Sequence, residues 1–506
     1  MYRPYNQRQS FLLPPNLYDF VDENHPAHLI NDLVDPLDLS VLEARYGNLG
    51  QPAYHPRLML KVILYGFTVG SFSSRKLQRA CQENLAFKFL AGMETPAFRT
   101  FLEFRQRHRE DRQGVFVQTV KLARALGLAR LGAVALDGSK VEANTSRHQA
   151  MSYGRMLAAE IQRLLETAEA TDQQEDQEYG PEDDGYQVGE ELARREQRRK
   201  KLQEAKTALE EREGRDYPGQ LIDPKQRISF ADPDARGFAR PRDGTRYVYN
   251  AQAAVDMDRQ IIVANHLEDS VSDAHAAAPM LESMEQEPGQ VPETLVADAG
   301  YGNQGTLASC PQRGVTPVCA TGREGKEDRE LGKLDRLLYD GDQDRFVGRH
   351  GHVFEFAHQH PASGTRTYKT PGPATCGHYE TADGREVLRV DQSHLAKREL
   401  QRIMAEPGHR ELYRRRKCTA EPPFGQIKAG MGFRRFLYRG KQKVGSEWSL
   451  VCAAFNIKKL AALLGTSRHP ANPAQTALFS LAGLLARLLP LVCPGACHVP
   501  RLAQAV

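Results

Sequence analysis

Hydrophobic positions along the chain fall into two regimes. Up to about Ala129 they recur at helical spacing. Leu58, Val62, Ile63 and Phe67 follow Pro56, and Leu77, Cys81, Leu85 and Phe89 continue the period after a Ser71-Phe72-Ser73-Ser74 break that offers N-cap residues. Thr95-Pro96 opens a further helix carrying Phe98, Phe101 and Leu102. From Leu131 the pattern changes to short apolar runs of strand type. Residues 134–136, 253–256, 260–264 and 294–297 read as strands, the middle two as a hairpin joined at Met257-Asp258-Arg259. Residues 316–319 form a weaker strand, and Pro317 suits a sheet edge better than its centre. Helical segments are expected at 274–285 and 304–310.

The resulting order is strand, hairpin, helix, strand, helix, strand, final helix. It is the order of an RNase H-like α/β core with long insertions, preceded by an all-α, helix-turn-helix-like domain. The expected division is a helical region at 1–130, an α/β domain at 131–465 interrupted at about 157–225 and 322–396, and a tail at 466–506. The tail's apolar stretch, 477–492, is interrupted by Arg487 and Pro490 and falls short of the roughly 20 residues a bilayer span needs. It reads as a packing or partner helix, and no membrane association is expected.

Charge changes this picture locally. The 68 basic and 64 acidic residues nearly cancel overall. Between Lys397 and Lys443, however, fourteen Lys and Arg stand against four Glu, for which phosphate is the natural counter-charge. In the N-terminal helices Arg75, Lys76 and Arg79 suit DNA binding; a helical bundle with solvated basic faces would show the same composition. The first insertion holds eleven acidic and no basic residues from Leu164 to Ala193, a density that favours a hydrated connector over a DNA mimic. Eight irregularly spaced cysteines and an N-terminus without an apolar signal segment read as a reduced, cytoplasmic protein.

Three carboxylates stand at positions that suit phosphodiester chemistry. Asp137 and Asp298 each end an apolar strand-type run, and Glu421 follows the basic Arg414-Arg415-Arg416-Lys417. Two hard divalent cations about 3.5–4 Å apart can activate a nucleophile on one side of a phosphate and stabilise the leaving oxygen on the other. Carboxylate oxygens are natural ligands for Mg²⁺. Taken singly each residue has an ordinary reading, since Asp-Gly and Asp-Ala-Gly suit tight turns and Glu421 alone reads as an exposed helix residue. Lys428, seven residues after Glu421, falls on the same helical face and could contact an adjacent phosphate. Pro422-Pro423 suits the first turn of a helix, which puts Glu421 near a helix start.

The stretch from Pro52 to Gly92, VALDGSKVEANTSRHQAMSYGRM (134–156), YNAQAAVD (249–256), VADAGY (296–301) and EPPFGQIKAGMGFRRFLYRG (421–440) together resemble the DDE transposases of bacterial insertion sequences. The resemblance is to the insertion sequence 4 superfamily, and within it most closely to the insertion sequence 1182 family. It implies an RNase H-like catalytic domain behind a helical DNA-binding domain. Asp137, Asp298 and Glu421 would be the catalytic and metal-binding residues. The matched tyrosine, basic residue, glutamate and lysine signature falls on Tyr413, a basic residue among Arg414, Arg415, Arg416 and Lys417, Glu421 and Lys428. The spacing departs from the superfamily form, because positions seven and four before Glu421 hold Arg414 and Lys417.

The implied cofactors are two Mg²⁺ ions, for which Mn²⁺ could substitute. The implied partners are double-stranded DNA, as element ends and target, and a second copy of the chain in a homodimer. A silent DNA-binding relative would need only the N-terminal helices, and a nuclease without strand transfer would share the whole metal site. In the second insertion, Cys376 and His378 with His350, His352, His358 and His360 offer zinc-ligand chemistry. The Cys376-Gly377-His378 spacing is too close for the usual ligand pair and suits a polar loop. Trp448 suits packing of a closing helix better than stacking on a flipped base.

Overall fold

The computed structural model describes residues 16–47, 52–145, 150–158, 189–216, 219–240, 244–268, 270–286, 289–322, 334–348, 352–360, 364–373, 380–382 and 384–465. In chain order the first eight strands are β1 (Ala133–Glu142), β2 (Ala150–Ser152), β3 (Arg227–Ser229), β4 (Arg236–Arg240), β5 (Gly244–Asp256), β6 (Ile262–Glu268), β7 (Thr294–Ala297) and β8 (Thr316–Cys319). β2 and β3 pair with each other, and the other six form the central sheet.

β5 is long enough to pair twice along one side, with β4 over its first part and with β6 over its second, while β1 runs antiparallel along its other side. β7 lies parallel to β1, and β8 parallel to β7 at the edge. Parallel neighbours need crossovers, supplied here by the helices Ala277–Gln286 before β7 and Gln304–Ser309 before β8. Pro317 therefore sits on an edge strand, where its missing N–H is tolerated.

Strand alternation divides the apolar residues between two faces. Ala135, Val296 and Val318 pack with Met404 and Ala420 beneath the helices Gln392–Ala405 and Pro407–Gly425. Val134, Leu136, Leu295, Ala297 and Cys319 point the other way, into a large core shared with Trp448 and Phe455 of the closing helix Lys441–Gly465. Phe116 and Val120 of the helix Arg112–Ala125 join the same core, as do Ile63 and Phe67 of Pro56–Thr68 and Phe101 of Phe98–Arg107. The N-terminal helices are thus packed onto the sheet through the closing helix, and no break in the core marks residue 130. Their starts follow local chemistry. Pro56 occupies the first helical turn with His55 Nδ1 accepting from Arg57 N, and Asn84 caps Leu85–Leu90 by accepting from Ala86 N at 2.9 Å.

Two expectations are corrected. β1 does not stop at Leu136: it continues to Glu142, so Asp137 lies within the strand, because Gly138 to Glu142 pair with β5 down to Val248. Pro422 and Pro423 occupy the end of the Pro407–Gly425 helix, and a π-helical turn, Gln426–Gly430, follows. Proline at this point leaves the carbonyl four residues earlier without its helical donor, and Gln260 Nε2 donates to Cys418 O at 2.8 Å instead. The second insertion, for which the sequence predicted no elements, holds a sheet of its own. It contains β9 (Leu338–Asp340), β10 (Arg345–Val347), β11 (Val353–Gln359), β12 (Arg366–Lys369), β13 (Glu380–Ala382) and β14 (Arg385–Val390) in one antiparallel sheet, ordered β13-β14-β12-β11-β10-β9. Its own small core is Leu337, Phe346, Phe354, Tyr368, Leu388 and Val390.

Of the first insertion, the helix Gly189–Asp216 is described, and most of the acidic tract lies outside the described residues. The same holds for His350, Cys376, His378 and the apolar tail. No helix of the described residues is long and apolar enough to cross a membrane.

Candidate active site

The register that builds the sheet also aligns two of the three carboxylates. Ala135 of β1 pairs with Val296 of β7; Asp137 stands two residues further along β1, and Asp298 is the first residue after β7 ends at Ala297. Neighbouring strands lie about 4.8 Å apart, so the two aspartates leave the ends of adjacent paired segments, and the charge of Asp298 reaches Asp137. Ala420 packs against Ala135 and Val296, and Glu421 is the next residue of the covering helix. Asp137 and Asp298 are half-buried, whereas Glu421 is exposed.

Electrostatics register the same convergence. Burial pushes the Asp137 carboxyl up to about 6; the Gly138 N–H, which donates to Asp137 Oδ1 at 2.9 Å, and Arg416 pull it down, and the charges of Asp298 and Glu421 push it further up. Asp298 Oδ1 accepts from Gly300 N at 2.8 Å, which turns the chain sharply after β7. Arg416 is itself buried on the inner side of its helix, with its guanidinium 5.9 Å from the Tyr413 ring centroid. Of the basic run it is the residue whose charge reaches Asp137. Arg414, Arg415 and Lys417 are exposed, and Tyr413 is half-buried against Ala135, Val296 and their neighbours.

Lys428 returns to β1 from the π-helical turn: its ammonium donates to Ser139 Oγ at 2.5 Å and to Lys140 O at 3.0 Å. It therefore lies beside the strand two residues beyond Asp137. The other basic candidates, Arg75, Lys76 and Arg79, are exposed on the Ser74–Glu83 helix. The Arg75 guanidinium lies 4.8 Å from the Phe98 ring centroid, and Arg79 Nε pairs with Glu83 at 3.0 Å.

A fourth carboxylate escaped the sequence reading. Asp273, between β6 and the Ala277–Gln286 helix, accepts at Oδ1 from Lys140 Nζ (3.0 Å), Asn250 Nδ2 (2.8 Å) and Gln252 Nε2 (2.7 Å). By alternation Lys140, Asn250 and Gln252 belong to the sheet face opposite Asp137. Asp273 nevertheless reaches around the end of β7, where it and Asp298 both border Gly300. The Tyr301 hydroxyl donates to Gln252 Oε1, and burial, followed by the negative charges of Asp273, Asp137 and Asp298, raises its pKa. A signal for this network was present in β5: Asn250 and Gln252 are polar residues two apart within the stretch Tyr247 to Val255, which is otherwise apolar or aromatic, and both are buried.

Among the described residues no three His, Cys, Asp or Glu side chains already enclose a metal-sized site. The donor chemistry nonetheless suits a hard cation. Asp137 and Asp298 are half-buried carboxylates, and the charges of Asp298 and Glu421 add to burial in raising the Asp137 carboxyl, an effect that a cation would relieve. Trp448 is a packing residue. It is fully buried, stacks on Phe424 with centroids 6.0 Å apart, and donates from Nε1 to Gln252 O at 2.9 Å.

Residues 15–107 match the domain family described as a transposase domain (DUF772), and residues 371–461 match one described as a transposase DDE domain. No curated protein matches the chain significantly. Among solved structures, the cryo-EM structure of a piggyBac transposase synaptic complex with hairpin DNA aligns over 95% of this chain and 84% of that one, at 9% identity and a TM-score of 0.33. That likeness is too distant to carry an argument. The matched segments take in the N-terminal helices and the helix bearing Glu421, while Asp137 and Asp298 lie between them. Two segments that flank the central sheet in the chain are thus similar to transposase domains, the C-terminal one to the DDE type.

Proposed function

We propose that the protein is a DNA transposase that cleaves the ends of an insertion sequence and joins the freed 3′-hydroxyl to target DNA, with Asp137, Asp298 and Glu421 as its catalytic carboxylates on an RNase H-like core. The observation that supports this reading is the charge coupling at Asp137, which lies on β1, with Asp298 just after the parallel strand β7 and Glu421 on the helix whose Ala420 packs with Ala135 and Val296.

Asp137, Asp298 and Glu421 are the residues that would hold two Mg²⁺ ions, which supply charge neutralisation for both the attacking and the leaving oxygen. The protein's own contribution is position and charge. Gly138 N–H and Arg416 orient and partly neutralise Asp137. Exposed Arg414, Arg415 and Lys417 give phosphate contacts on the outer side of the helix that carries Glu421. Lys428 would exchange its bonds to Ser139 and Lys140 for a phosphate oxygen when DNA enters. Arg75, Lys76 and Arg79 would anchor the element end. Two ends must be cut and joined together, so a homodimer on DNA is the expected assembly.

The test is cleavage of DNA that carries the sequences flanking the coding region. Asp137→Asn, Asp298→Asn and Glu421→Gln should each abolish Mg²⁺-dependent cutting and leave DNA binding within a few-fold of wild type. Full cleavage by any of the three removes that residue from the site. Cleavage without joining of pre-cut ends would reduce the activity to that of a nuclease.

A further inference from the structure

Outside the carboxylate face the helical region contains a cluster of cations with too few partners. A cavity of about 290 Å³ is lined by Arg105, Gln106, Arg109, Arg112, Tyr438 and Lys443. One wall is the end of the Phe98–Arg107 helix and the start of Arg112–Ala125; the other is the approach to the closing helix. At roughly 30 Å³ per water the cavity has room for a small polyatomic ion with part of its hydration.

Arg105 is only 3% exposed and Arg112 only 5%. Arg105 Nη1 donates to Phe72 O at 2.8 Å, but its Nε and Nη2 are buried without a hydrogen-bond partner, as is Arg109 Nε. Leaving such donors unmade costs stability, and more so when they are charged. Ring faces hold the two forks in place, with the Arg105 guanidinium 5.2 Å from the Phe67 centroid and that of Arg112 5.5 Å from Tyr438. The nearest buried acid, Glu447, attracts both arginines but is already committed to the N–H groups of Leu437 (3.0 Å) and Tyr438 (3.2 Å). Glu110, at the exposed rim, approaches Arg109 at 3.7 Å. Four cations therefore meet two carboxylates, one of which is already bonded elsewhere.

We propose that this cavity binds a phosphate group, with the free edges of Arg105 and Arg109 as donors and Lys443 at its mouth. Guanidinium forks match tetrahedral oxyanions in geometry and charge, and Lys adds a mobile point charge. The group is either a free small phosphate or one phosphate of a DNA backbone lying across the mouth. The proposal does not depend on the transposase reading, since it uses none of the carboxylates.

The test titrates the full-length protein with inorganic phosphate, following thermal unfolding against sodium chloride of equal ionic strength, and repeats it with Lys443→Ala and Arg109→Ala, whose side chains reach the surface. Phosphate should raise the melting temperature of the wild type beyond the chloride control, and each variant should need about tenfold more phosphate for the same shift. Arg105→Lys serves as a buried variant that keeps the charge but removes the fork. In the second arm, duplex DNA binding is measured against salt. A slope lower by about one in Lys443→Ala identifies a backbone phosphate, and an unchanged slope identifies a free phosphate. Identical responses to phosphate and chloride, together with DNA binding unchanged in both surface variants, would overturn the proposal.

Discussion

Gly138 offers the sharpest test of the geometry around the carboxylates. A Cβ added there would lie 2.2 Å from Gln252 Nε2, 2.8 Å from Asp273 Oδ1 and 2.9 Å from Gln252 Cδ. Gln252 cannot simply swing away. Its Nε2 donates to Asn250 Oδ1 at 3.0 Å and to Asp273 Oδ1 at 2.7 Å, its Oε1 accepts from Tyr301, and Gln252 and Tyr301 are fully buried. Gly138→Ala must therefore either strain the strand or break part of that network. Overpacking costs about 1–3 kcal/mol, and stranding a buried amide adds about 1–3 kcal/mol, so the expected loss is about 2–6 kcal/mol where both occur. Gly138 does not have a positive φ, so alanine meets no backbone strain there, and the lower freedom of the unfolded chain offsets about 0.4–1 kcal/mol of the contact loss. Urea unfolding of the two proteins, compared at equal m-value, reads it directly. A variant within about 0.5 kcal/mol of wild type would refute the packing of Gln252 and Asp273 against β1.

Three further outcomes follow from the same contacts. Trp448→Phe removes the donor to Gln252 O and leaves a smaller ring in a fully buried site, which should cost about 2–3 kcal/mol in the same unfolding assay. The Asp137 carboxyl, raised from 3.8 to about 6, favours the fold in its protonated form; that contribution is complete below about pH 4 and lost as pH rises through about 6, at most about 3 kcal/mol. Without divalent cation, Asp137→Asn should flatten the stability profile between those limits, and stabilisation of the wild type by Mg²⁺ should grow as pH passes 6. Lys428→Ala frees Ser139 Oγ and should reduce the salt slope of DNA binding by about one while depressing cleavage more than binding.

What could be read from the chain, and what could not, divides along physical lines. β7 and β8 were legible residue for residue, because a strand buried on both faces is apolar throughout and needs no partner to declare itself. The far half of β1 was not: Gly138-Ser139-Lys140-Val141-Glu142 is mostly polar and is a strand because β5 pairs with it. The β9 to β14 sheet was missed for a related reason. β10 contributes only Phe346 to its core, β11 only Phe354 and β12 only Tyr368, which is too few apolar residues per strand for alternation to register. Asp137 and Asp298 stood out as candidates because each carboxylate follows an apolar run, and each lies two residues beyond a member of the Ala135–Val296 pair. Asp273 sits in a Ser-Val-Ser-Asp loop with no periodicity, and its partners Lys140, Asn250 and Gln252 lie on other strands.

The end of the Pro407–Gly425 helix shows how the same residues serve structure and site together. Two prolines in a helix remove donors and crowd the preceding turn, an arrangement costing about 3 kcal/mol or more unless neighbours compensate. Here compensation comes from Gln260, whose Nε2 takes up Cys418 O while its Oε1 accepts from Lys459 Nζ at 2.9 Å, and whose own backbone sits in the left-handed region at φ 59°. The N–H of Gln426 still reaches Pro422 O and Pro423 O, the chain widens into the π-helical turn, and Met431 N closes it on Gln426 O at 2.7 Å. Phe424 is held by its stack on Trp448. Glu421 therefore belongs to a helix end fixed from three sides, and the widened turn brings Lys428 back to Ser139. Strain kept in place beside a candidate carboxylate is what a site needing fixed ligand positions would retain. An ordinary helix continued past Glu421 would dispense with both prolines, with Gln260's unusual backbone and with the wide turn that returns Lys428 to the strand.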